Sequence, residues 1–587
     1  MSYHERAVRE MREHEPSLTV TPIMRKLVAD SAALLRRGKD DARMRANAAR
    51  QFAIDNLDEL HRRTRKQFEA RGIGYHRAST PAEAVRIVRE LLGGARRVAK
   101  SKTMVGEEVG LTHALRDAGI DVLETDIGEY IVDIEGRGPS HITAPALHLN
   151  RTRIRELLAR RGAELPDDDP ARMSQYVRDV VGEFFRDCDA AITGANAIVA
   201  SSGRIVIVEN EGNVSLGVSH PRLHIVITGI EKVVADEADA LAVLEVLAPS
   251  ATAQPLTSFS HFLADPLPGQ ERHVVFVDHG RSRALRDARY REVLKCIRCG
   301  ACMNACPVYR TAGGLSYGSP YMGPIGAVIS PLLWRDGKYV DLPWASSLCG
   351  RCTEVCPVGI PLHRMLLDLR ADAVARGQVA GRTERTAWKA WAMAFSGANR
   401  ARAVSALGRI GLRTVGRFVR TRGSDRDPRL LPEISPERDP LNLEPASEPM
   451  EAGAPPFPAT AVVGLDEVLP DDPVELFRQR AAALGVDVRE SVEPREGDRV
   501  VPAAAGIANT GSVLLVDEAA ARRPLLAAKR VVVRLDRQNI VGYPSDLVPY
   551  LGAGDALILT GASRTADIEK QIVRGIHGSE EMVVVLE

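Results

Sequence analysis

The stretch ITGANAIVASSGRIVIVENEGN (192–213) decides the fold of the region around it. It places a turn of small residues before an apolar run that ends on acidic and amide side chains. Two further apolar runs of strand length, LHIVITGI (223–230) and HVVFVD (273–278), flank the helix-like stretch DEADALAVLEVL (236–247). Short β-rich runs that alternate with helices predict a mostly parallel sheet. Residues 66–284 are therefore predicted to form an α/β domain.

The same pattern recurs near the C-terminus. AGIANTGSVLLVDEAAARR (505–523) matches 192–213 in its small-residue turn, apolar strand and acidic end. RVVVRLDRQNIV (530–541) matches LHIVITGIEKVV (223–234) in the same order and spacing, although few residues are identical. The sequence therefore predicts a divergent internal repeat, with a second α/β unit over 460–587.

The length and charge of the chain exclude several classes of protein. A chain of 587 residues is too long for one core and predicts about three or four domains. The net charge is +1 and aromatic residues make up 4% of the chain, so there is neither a global field nor a stacking platform for nucleic acid. No signal peptide and no apolar run of about 18 residues is found. We expect a cytoplasmic, multidomain protein that does not bind nucleic acid.

Seven of the eight cysteines fall between Cys296 and Cys356. In a reducing compartment this clustering indicates metal or redox chemistry rather than disulfides. The group from Cys296 to Cys306 reads C-x2-C-x2-C-x3-C-P, the ferredoxin run in which three thiolates hold one cluster and the fourth reaches another. The second group, which begins at Cys349, repeats the last three cysteines of the first, and Ser346 occupies the position of the missing one.

The crossover of the ferredoxin pattern assigns two sets of ligands. The first cluster takes Cys296, Cys299, Cys302 and Cys356. The second cluster takes Cys306, Cys349 and Cys352. The remaining iron of the second cluster takes Ser346 or water, or is absent, which leaves a 3Fe–4S cluster in place of 4Fe–4S. Two one-electron centres in series indicate an electron relay.

Structural zinc is the alternative, since zinc sites with four thiolates also use C-x2-C pairs. Four cysteines within eleven residues, and a proline after each group, favour iron–sulfur clusters instead. Cys188 stands apart and is interpreted as a small buried hydrophobic residue. We place the cysteine module at 285–380. Between its two groups, TAGGLSYGSPYMGPIGAV (311–328) is rich in Gly and Pro and predicts a loop.

Three further segments flank these modules. Residues 1–65 carry apolar residues at helical spacing and predict a helical arm. Residues 381–422 hold ten Arg and Lys and a single acid, Glu384, in an amphipathic pattern. Such a basic helix either docks on an anionic membrane surface or a partner, or packs on its own domain with its charges in solvent. Residues 423–459 have a proline every few positions and predict a linker.

The chain resembles a known family over most of its length. Residues of about 60–420 resemble the lactate-utilisation iron–sulfur proteins of the LutB/LldF type, which carry a LUD domain. Besides the cysteine array, this resemblance is carried by VAKSKTMVGEEVGL (98–111), ETDIGEYIVDI (124–134), PSHITAPALH (139–148), ITGANAIVASSGRIVIVENEGN and ITGIEKVV. Residues 460–587 resemble a shortened LutC-type LUD domain, through GIANTGSVLLV (506–516) and ILTGASRTADIEKQIVRGIHG (558–578).

The resemblance implies a fold like that of sugar-phosphate isomerases and CoA transferases (NagB/RpiA-like) for both α/β units. It also implies an electron-transfer component of a complex that oxidises L-lactate to pyruvate. The implied partners are a CCG-motif subunit of the LutA/LldE type and an electron acceptor such as a quinone or cytochrome. The family's second cysteine group also has three members, so Ser346 is no departure from it. The C-terminal unit is shorter than the family pattern at its N-terminal side.

Two other functions stay open. The α/β units could form a CoA- or phosphometabolite-binding enzyme whose clusters are structural or regulatory. Alternatively, the chain is a scaffold subunit with catalysis in its partner. No G-x-G-x-x-G motif opens a helix after a strand, so neither flavin nor nicotinamide has a recognisable site.

Binding of a lactate-sized anion requires a cation or amide donors for its carboxylate and a base for its hydroxyl proton. The candidates in the first unit are Lys100, Lys102, Glu107, Glu124, Asp126, His141 and Glu209. In the C-terminal unit the candidates for binding phosphate or carboxylate are Ser563, Arg564 and Thr565. A surface or capping role is the alternative for each of these side chains.

Overall fold

The structure is a computed structural model. It describes residues 1–13, 16–36, 40–379, 382–397, 400, 402, 470, 472–568 and 572–587. These form two compact units, Met1–Ala373 with Leu469–Glu587, and Val374–Val468. The predicted linker (423–459) and most of the predicted basic segment (381–422) lie outside the described residues. The domain boundaries proposed from the sequence stay a prediction.

Twenty-one helices are described, and the first four form the N-terminal arm. In chain order they are α1 Tyr3–Glu13, α2 Pro16–Arg36, α3 Asp40–Asp55, α4 Leu57–Ala70, α5 Pro81–Leu92, α6 Met104–Glu108, α7 Leu111–Asp117, α8 Ile127–Glu135, α9 Arg151–Ala159, α10 Pro170–Asp187, α11 Asn213–Ser219, α12 Glu237–Thr252, α13 Arg281–Arg286, α14 Ala301–Ala305, α15 Pro307–Ala312, α16 Gly323–Leu333, α17 Arg351–Glu354, α18 Leu362–Ala375, α19 Arg382–Phe395, α20 Pro473–Ala483 and α21 Arg522–Ala527.

The described residues contain twenty strands. They are β1 Ile73–Ala78, β2 Arg97–Lys100, β3 Asp121–Glu124, β4 Ala190–Thr193, β5 Ala197–Val199, β6 Ile205–Glu209, β7 Leu223–Gly229, β8 Val233–Val234, β9 Phe259–Leu263, β10 Glu271–Val277, β11 Asp487–Arg489, β12 Asp498–Pro502, β13 Ala505–Ile507, β14 Ser512–Val516, β15 Arg530–Leu535, β16 Ile540–Val541, β17 Ala556–Leu559, β18 Arg564–Thr565, β19 Val573–Arg574 and β20 Glu581–Leu586.

The predicted parallel sheet is confirmed. Six strands pair in the order β1-β10-β7-β4-β2-β3, and all five pairings are parallel. A second parallel sheet, β11-β20-β15-β12, belongs to the C-terminal segment. Strands such as β4 are buried along their whole length, as expected when helices cover both faces of a parallel sheet.

An eight-stranded mixed sheet joins the two halves of the sequence. Its order is β16-β13-β14-β17-β9-β6-β5-β8. Each half contributes four strands with the same pattern: a hairpin, an antiparallel inner strand and a short parallel outer strand. The halves meet where β17 pairs antiparallel with β9, with Leu557 opposite His261. The internal repeat predicted from the sequence is therefore present in the fold.

One hydrophobic core runs from this sheet into the cysteine module. Its buried members include Phe262 of the first half and Ile558 of the second, together with Cys302 and Val328 of the module. Met24 of α2 belongs to the same core, so the N-terminal arm packs on the module rather than extending from it.

One local prediction needs correction. The 311–328 segment is not all loop, because α16 starts at Gly323 and its apolar side chains are buried in the core. The hydrophobic run AVISPLL, which continues into the helix, outweighs the Gly and Pro that begin it. None of the described helices is both long enough and apolar enough to cross a membrane.

Candidate functional site

The two cysteine groups adopt the same local backbone. Each passes through two left-handed residues, Arg298 (φ 63°) and Gly300 (φ 78°) in the first group, and Leu348 (φ 57°) and Gly350 (φ 79°) in the second. The glycine then begins a short helix, α14 or α17, which carries the next cysteine. Left-handed turns let consecutive sulfurs point to one side of the chain, and glycine adopts them without steric cost.

Ser346 takes the place of Cys296 in the second group. The backbone N–H of Arg298 donates to Cys296 Sγ over 3.4 Å, and the N–H of Leu348 donates to Ser346 Oγ over 3.1 Å. The register proposed from spacing therefore holds in three dimensions. The role of Ser346 as a ligand stays a prediction.

The cysteines of the two groups lie close to one another in the fold. Burial raises the pKa of the Cys299 thiol, and the nearby charge of Cys356 raises it further. Burial likewise raises the pKa of Cys352 to about 12, with contributions from Cys306 and Cys349. Such interactions require proximity in a low dielectric. Cys302, whose pKa is raised by burial and by Cys296 and Cys299, also interacts with Cys352 of the second group, so the partition of the sulfurs into two ligand sets stays a prediction.

These sulfurs fit iron–sulfur clusters. All seven are free, and all except Cys296 and Cys349 are buried. A buried thiolate without a cation carries a large desolvation cost, which iron would offset. Backbone N–H groups also donate to sulfur, as those of Tyr309 and Ile360 do to Cys306 and Cys356. Such N–H···S bonds are characteristic of cluster sites.

Cys188 lies apart from the array. It follows α10, is half-buried, and donates to the carbonyl of Phe185 over 3.6 Å. Burial raises the pKa of its thiol to about 11, so it is protonated at neutral pH. Its surroundings match the small hydrophobic residue expected from the sequence.

Cationic side chains donate to backbone carbonyls in both cysteine groups. Lys232 Nζ donates to the carbonyl of Cys296 over 3.2 Å. Arg50 donates to the carbonyls of Lys295 (3.3 Å) and Leu294 (2.9 Å). Arg43 donates to the carbonyl of Cys356 over 3.0 Å. The guanidinium groups of Arg50 and Arg43 at these carbonyls would offset the negative charge that thiolates bring, whereas burial lowers the pKa of Lys232 to about 7.

A cavity of about 970 Å³ adjoins the first cysteine group. It is bounded by the carboxyl ends of β2, β4 and β6, where open α/β sheets bind ligands. The arm helix α2, the cysteine loop and the C-terminal segment complete its wall, through residues such as Leu27, Arg298 and Arg564. Of the residues predicted from the sequence, those that line the cavity are Lys102, Asp126, His141, Glu209, Arg564 and Thr565.

Lys100, Glu107 and Glu124 form an ion-paired group outside the cavity lining. Lys100 Nζ donates to Glu124 Oε1 and Oε2 over 2.8 and 2.9 Å, and to Glu107 Oε1 over 3.2 Å. Burial opposes the charged lysine, but the two carboxylates hold its pKa above the ordinary value. These contacts point to a structural role for all three side chains.

Glu209 is held rigidly at the end of β6. It accepts from the N–H groups of Val214 (2.7 Å) and Ser215 (2.9 Å) and from His261 Nε2 (2.8 Å). His261 Nδ1 accepts in turn from Arg522 of the C-terminal segment over 3.2 Å. These bonds to its charged form keep the pKa of Glu209 below its usual value despite burial.

His141 connects the cavity to the cysteine module. Its Nε2 lies 2.9 Å from Asn304 Oδ1 on α14, and its Nδ1 accepts from the N–H of Thr143 over 3.1 Å. The ring therefore donates through Nε2 and is held in one tautomer.

Three carboxyl groups meet in the cavity wall. Oxygens of Asp126, Glu211 and Asp567 lie within 4.8 Å of one another, and we call this set the carboxyl triad. The N–H of Ile127 donates to Glu211 Oε2 over 3.2 Å. Burial, with the charges of Asp126 and Asp567, raises the pKa of Glu211 well above its usual range. This shift favours the protonated form of Glu211.

The C-terminal segment, which contributes Asp567 to the triad, is hydrogen-bonded to the segment that carries Glu211. The N–H of Arg564 donates to the carbonyl of Asn210 over 2.7 Å, and the N–H of His577 donates to that of Glu211 over 3.0 Å. Thr565 hydrogen-bonds the Glu211 side chain. Ser563, predicted with its two neighbours, is buried outside the cavity lining.

Residues of this cavity that the sequence did not single out include Asp567, Glu211 and Arg298. Glu211 lies two positions beyond Glu209 in a run of polar residues, so its local pattern does not distinguish it. Arg298 lies between two cysteines, and nothing in the spacing indicates that its side chain lines a cavity.

Comparisons with known proteins agree with this architecture. Residues 61–283 and 500–586, more than half of the chain, match the LUD domain. Residues 292–360 match the 4Fe-4S dicluster domain. With the buried cysteine array, this match shows that the chain binds iron–sulfur clusters.

Two similar proteins are the lactate utilization protein B of Bacillus thuringiensis (strain Al Hakam) and of Bacillus cereus (strain AH187). Each is 43% identical over 357 residues, which is 60% of this chain and 75% of the relative. A solved DUF162 family protein from Deinococcus radiodurans is 17% identical with a TM-score of 0.21, over 38% of this chain and 98% of that one. From the matched domain and these relatives, the chain belongs to the LUD domain family.

Proposed function

We propose that this chain is an electron-transfer component of a complex that oxidises L-lactate to pyruvate. The observation that carries the proposal is the array of seven free cysteines, five of them buried, within one core. Two adjoining sets of sulfurs suit two clusters in series. The name of the relatives, lactate utilization protein B, supplies the metabolite.

The chain's own residues would define the path of the electrons. The clusters supply one-electron chemistry when bound. Arg50 and Arg298 hold positive charge near the first set and would favour its reduced, more negative form. The second set includes Cys349, which is exposed, so it is the set better placed to meet an external donor or acceptor.

Anaerobic purification tests the proposal directly. We expect iron and acid-labile sulfide in the protein, a paramagnetic signal after reduction with dithionite, and loss of that signal when a quinone is added. The form of the paramagnetic signal and the iron content should show whether the second cluster is 4Fe–4S or 3Fe–4S. Clusters that are reduced but never re-oxidised by quinone or by a partner would refute an electron relay.

Matched cysteine variants give the control. Cys302→Ser should lose iron and part of the signal, because Cys302 is buried within the array. Cys188→Ser should keep the full iron content, because Cys188 lies after α10 and outside the array.

The proposal includes a partner subunit of the CCG-motif type, which would receive or deliver the electrons.

The proposal also includes transient contact of the protein with the inner face of the membrane. In the second compact unit, α19 exposes Trp388, Trp391 and Phe395, and aromatic side chains beside basic ones suit an anionic interface. We expect the protein to float with vesicles containing anionic lipid and not with neutral ones, and Trp388→Ser with Trp391→Ser to abolish flotation.

A further inference from the structure

We propose that the cavity binds a small 2-hydroxy monocarboxylate, with its carboxylate on the Nε–Nη2 edge of Arg564 and its hydroxyl toward the carboxyl triad. The choice of a 2-hydroxy acid rests on the proposed function. The assignment of the site to this chain, rather than to a partner, rests on the cavity.

Arg564 presents an unused edge of its guanidinium group. Its Nε and Nη2 atoms are buried and have no hydrogen-bond partner among the described residues. These two nitrogens form the side of the guanidinium that donates two parallel N–H bonds, the geometry that matches the two oxygens of a carboxylate. Burial and the charge of Arg574 lower the pKa of Arg564, so an anion there would relieve an uncompensated charge.

Arg564 is held in place by its backbone. It lies on β18, and its N–H donates to the carbonyl of Asn210 over 2.7 Å. Asn210 follows β6, and its side-chain oxygen accepts from the N–H of Ser258 over 2.9 Å. The guanidinium therefore projects from a fixed point where the two halves of the protein meet, which reduces the entropy lost on binding.

The carboxyl triad supplies a partner for a hydroxyl group. Asp567 lies three positions after Arg564. Its carboxylate packs closely on Gly128 at the start of α8, since a Cβ added to Gly128 would lie 3.1 Å from Asp567 Oδ2. Burial and the charges of Asp126 and Asp567 raise the pKa of Glu211, which favours its protonated form. A hydroxyl can donate to a carboxylate of the triad and accept from a protonated carboxyl group.

Two further cations, both partly buried, line the same cavity. Lys102 Nζ has no hydrogen-bond partner among the described residues and lies 3.8 Å from Glu129 Oε1. Arg298, whose side chain is 10% exposed, leaves Nη1 without a partner there while it stacks on Tyr321 at 4.5 Å. Arg298 lies between Cys296 and Cys299, so a bound anion would change the electrostatic surroundings of the first cysteine group.

A monocarboxylate fits the site better than a phosphate. The carboxyl triad lines the same wall as Arg564 and would repel a dianion more strongly than a monoanion. The volume of the cavity exceeds that of a three-carbon acid, and the apolar wall formed by Ile23, Leu27 and Leu247 suits the hydrocarbon part of longer acids.

Calorimetry on the full-length, cluster-loaded protein tests this site. L-Lactate should bind to the unaltered protein, and Arg564→Gln should weaken its affinity at least tenfold, while Arg523→Gln has no effect. Arg523 is an exposed arginine that donates to the carbonyl of His220 over 3.2 Å. Unchanged affinity in Arg564→Gln, or tighter binding of inorganic phosphate than of L-lactate, would overturn the assignment.

A second variant keeps the test informative if Arg564→Gln fails to fold. Asp567→Asn should weaken L-lactate several-fold and leave propionate, which lacks the hydroxyl, unaffected. Equal weakening of both acids would contradict the role given to the triad.

Electron paramagnetic resonance on the same samples separates this inference from the proposed function. L-Lactate or pyruvate should shift the signal of the reduced protein, because Arg298 adjoins both cavity and cysteines. Clusters that relay electrons to quinone in a protein that binds neither acid would leave the proposed function standing and refute the site. A protein that binds L-lactate but transfers no electrons to quinone would support the site and refute the proposed function.

Discussion

Gly300 and Gly350 show how single residues shape the cysteine loops. Both adopt left-handed backbone, which costs other residues roughly 1–2 kcal/mol. A Cβ on Gly300 would also lie 3.1 Å from Cε1 of His141, whereas one on Gly350 would meet no atom within 4 Å. The two glycines therefore share a backbone requirement but differ in their surroundings.

We expect Gly350→Ala to cost about 1 kcal/mol of the free energy of unfolding and Gly300→Ala to cost more, because the His141 ring must also move. Denaturant unfolding and iron content measure this. Gly94→Ala is the control, since Gly94 has an ordinary backbone and open space around it and should be near neutral. An equal loss at Gly300 and Gly94 would show that the turn tolerates side chains.

The cysteine ligand sets can be tested by pairing variants. Cys302→Ser and Cys356→Ser should damage the same paramagnetic signal, although they are far apart in sequence. Cys306→Ser should instead resemble Cys349→Ser, because the ferredoxin crossover assigns both cysteines to the second cluster. Signals that group Cys302 with Cys306, as sequence neighbours, would refute the crossover.

Glu108 is the centre of a buried polar network between the α/β domain and the cysteine module. It accepts from Arg281 Nη1 and Nη2 (2.7 and 2.6 Å), from His279 (2.8 Å) and from Tyr321 (2.5 Å). Burial alone would raise its pKa, but Arg281 and these donors lower the pKa from 4.5 to about 2. The folded state therefore binds the proton less tightly than the unfolded state.

It follows that Glu108 contributes stability above pH 4.5, about 3 kcal/mol, and that this contribution disappears as the pH falls toward 2. Glu108→Gln should cost about 3 kcal/mol at pH 7, because it leaves Arg281 without its charge partner. In the Glu108→Gln variant, the free energy of unfolding measured across pH 2–7 should no longer contain the pH dependence that comes from Glu108. Glu90→Gln, in an exposed pair with Arg86, should cost about 0.5 kcal/mol or less.

At the scale of elements, the pairing of β17 with β9 determines how the C-terminal segment is held. Four backbone positions face each other across this pair, and Leu557 and Ile558 are buried on opposite sides of the sheet. Without β17, β9 would become an exposed edge with apolar side chains, which favours aggregation.

Cutting the chain within 423–459 should therefore not separate the fragments. With a protease site inserted there, we expect two bands on a denaturing gel but a single peak in size-exclusion chromatography, with iron retained. Leu557→Asp, which buries a carboxylate in the sheet, should release the fragment or precipitate the protein. Dissociation of the fragments without that substitution would show that the shared sheet is weak.

At the scale of the whole molecule, the cysteines belong to the same core as the eight-stranded sheet. Cys302, Cys356, Phe262 and Ile558 are all buried in one continuous cluster of side chains. A change at the cysteines is thus felt by both halves of the protein rather than by a separate module.

Removing iron should consequently destabilise the whole molecule. Anaerobic chelation should lower the midpoint of thermal unfolding by at least about 5 °C, because metal binding contributes to folding and the buried thiols lose their partners. Circular dichroism and the fluorescence of the tryptophans should shift together. Separate transitions, with only one sensitive to chelation, would contradict a common core.

Much of this protein could be predicted from short stretches. The cysteine spacing, with Gly300 and Gly350 in register, determines two equivalent loops, since the path of a few residues depends mainly on local backbone preferences. The apolar runs around Ile207 and Leu514 likewise determine strands, and their repetition indicates the repeated four-strand pattern.

Only the tertiary structure decided which of these parts meet. Glu211, Arg298 and Asp567 line one cavity although they come from three separate segments. Lys100 is ion-paired with Glu124, whereas Lys102, two positions further on, lines the cavity. Their proximity depends on strand pairing between residues almost 300 positions apart, such as Leu557 with His261. Local sequence determines each segment's conformation, whereas burial of both sheets in one core determines their neighbours, and the cavity exists only where those neighbours meet.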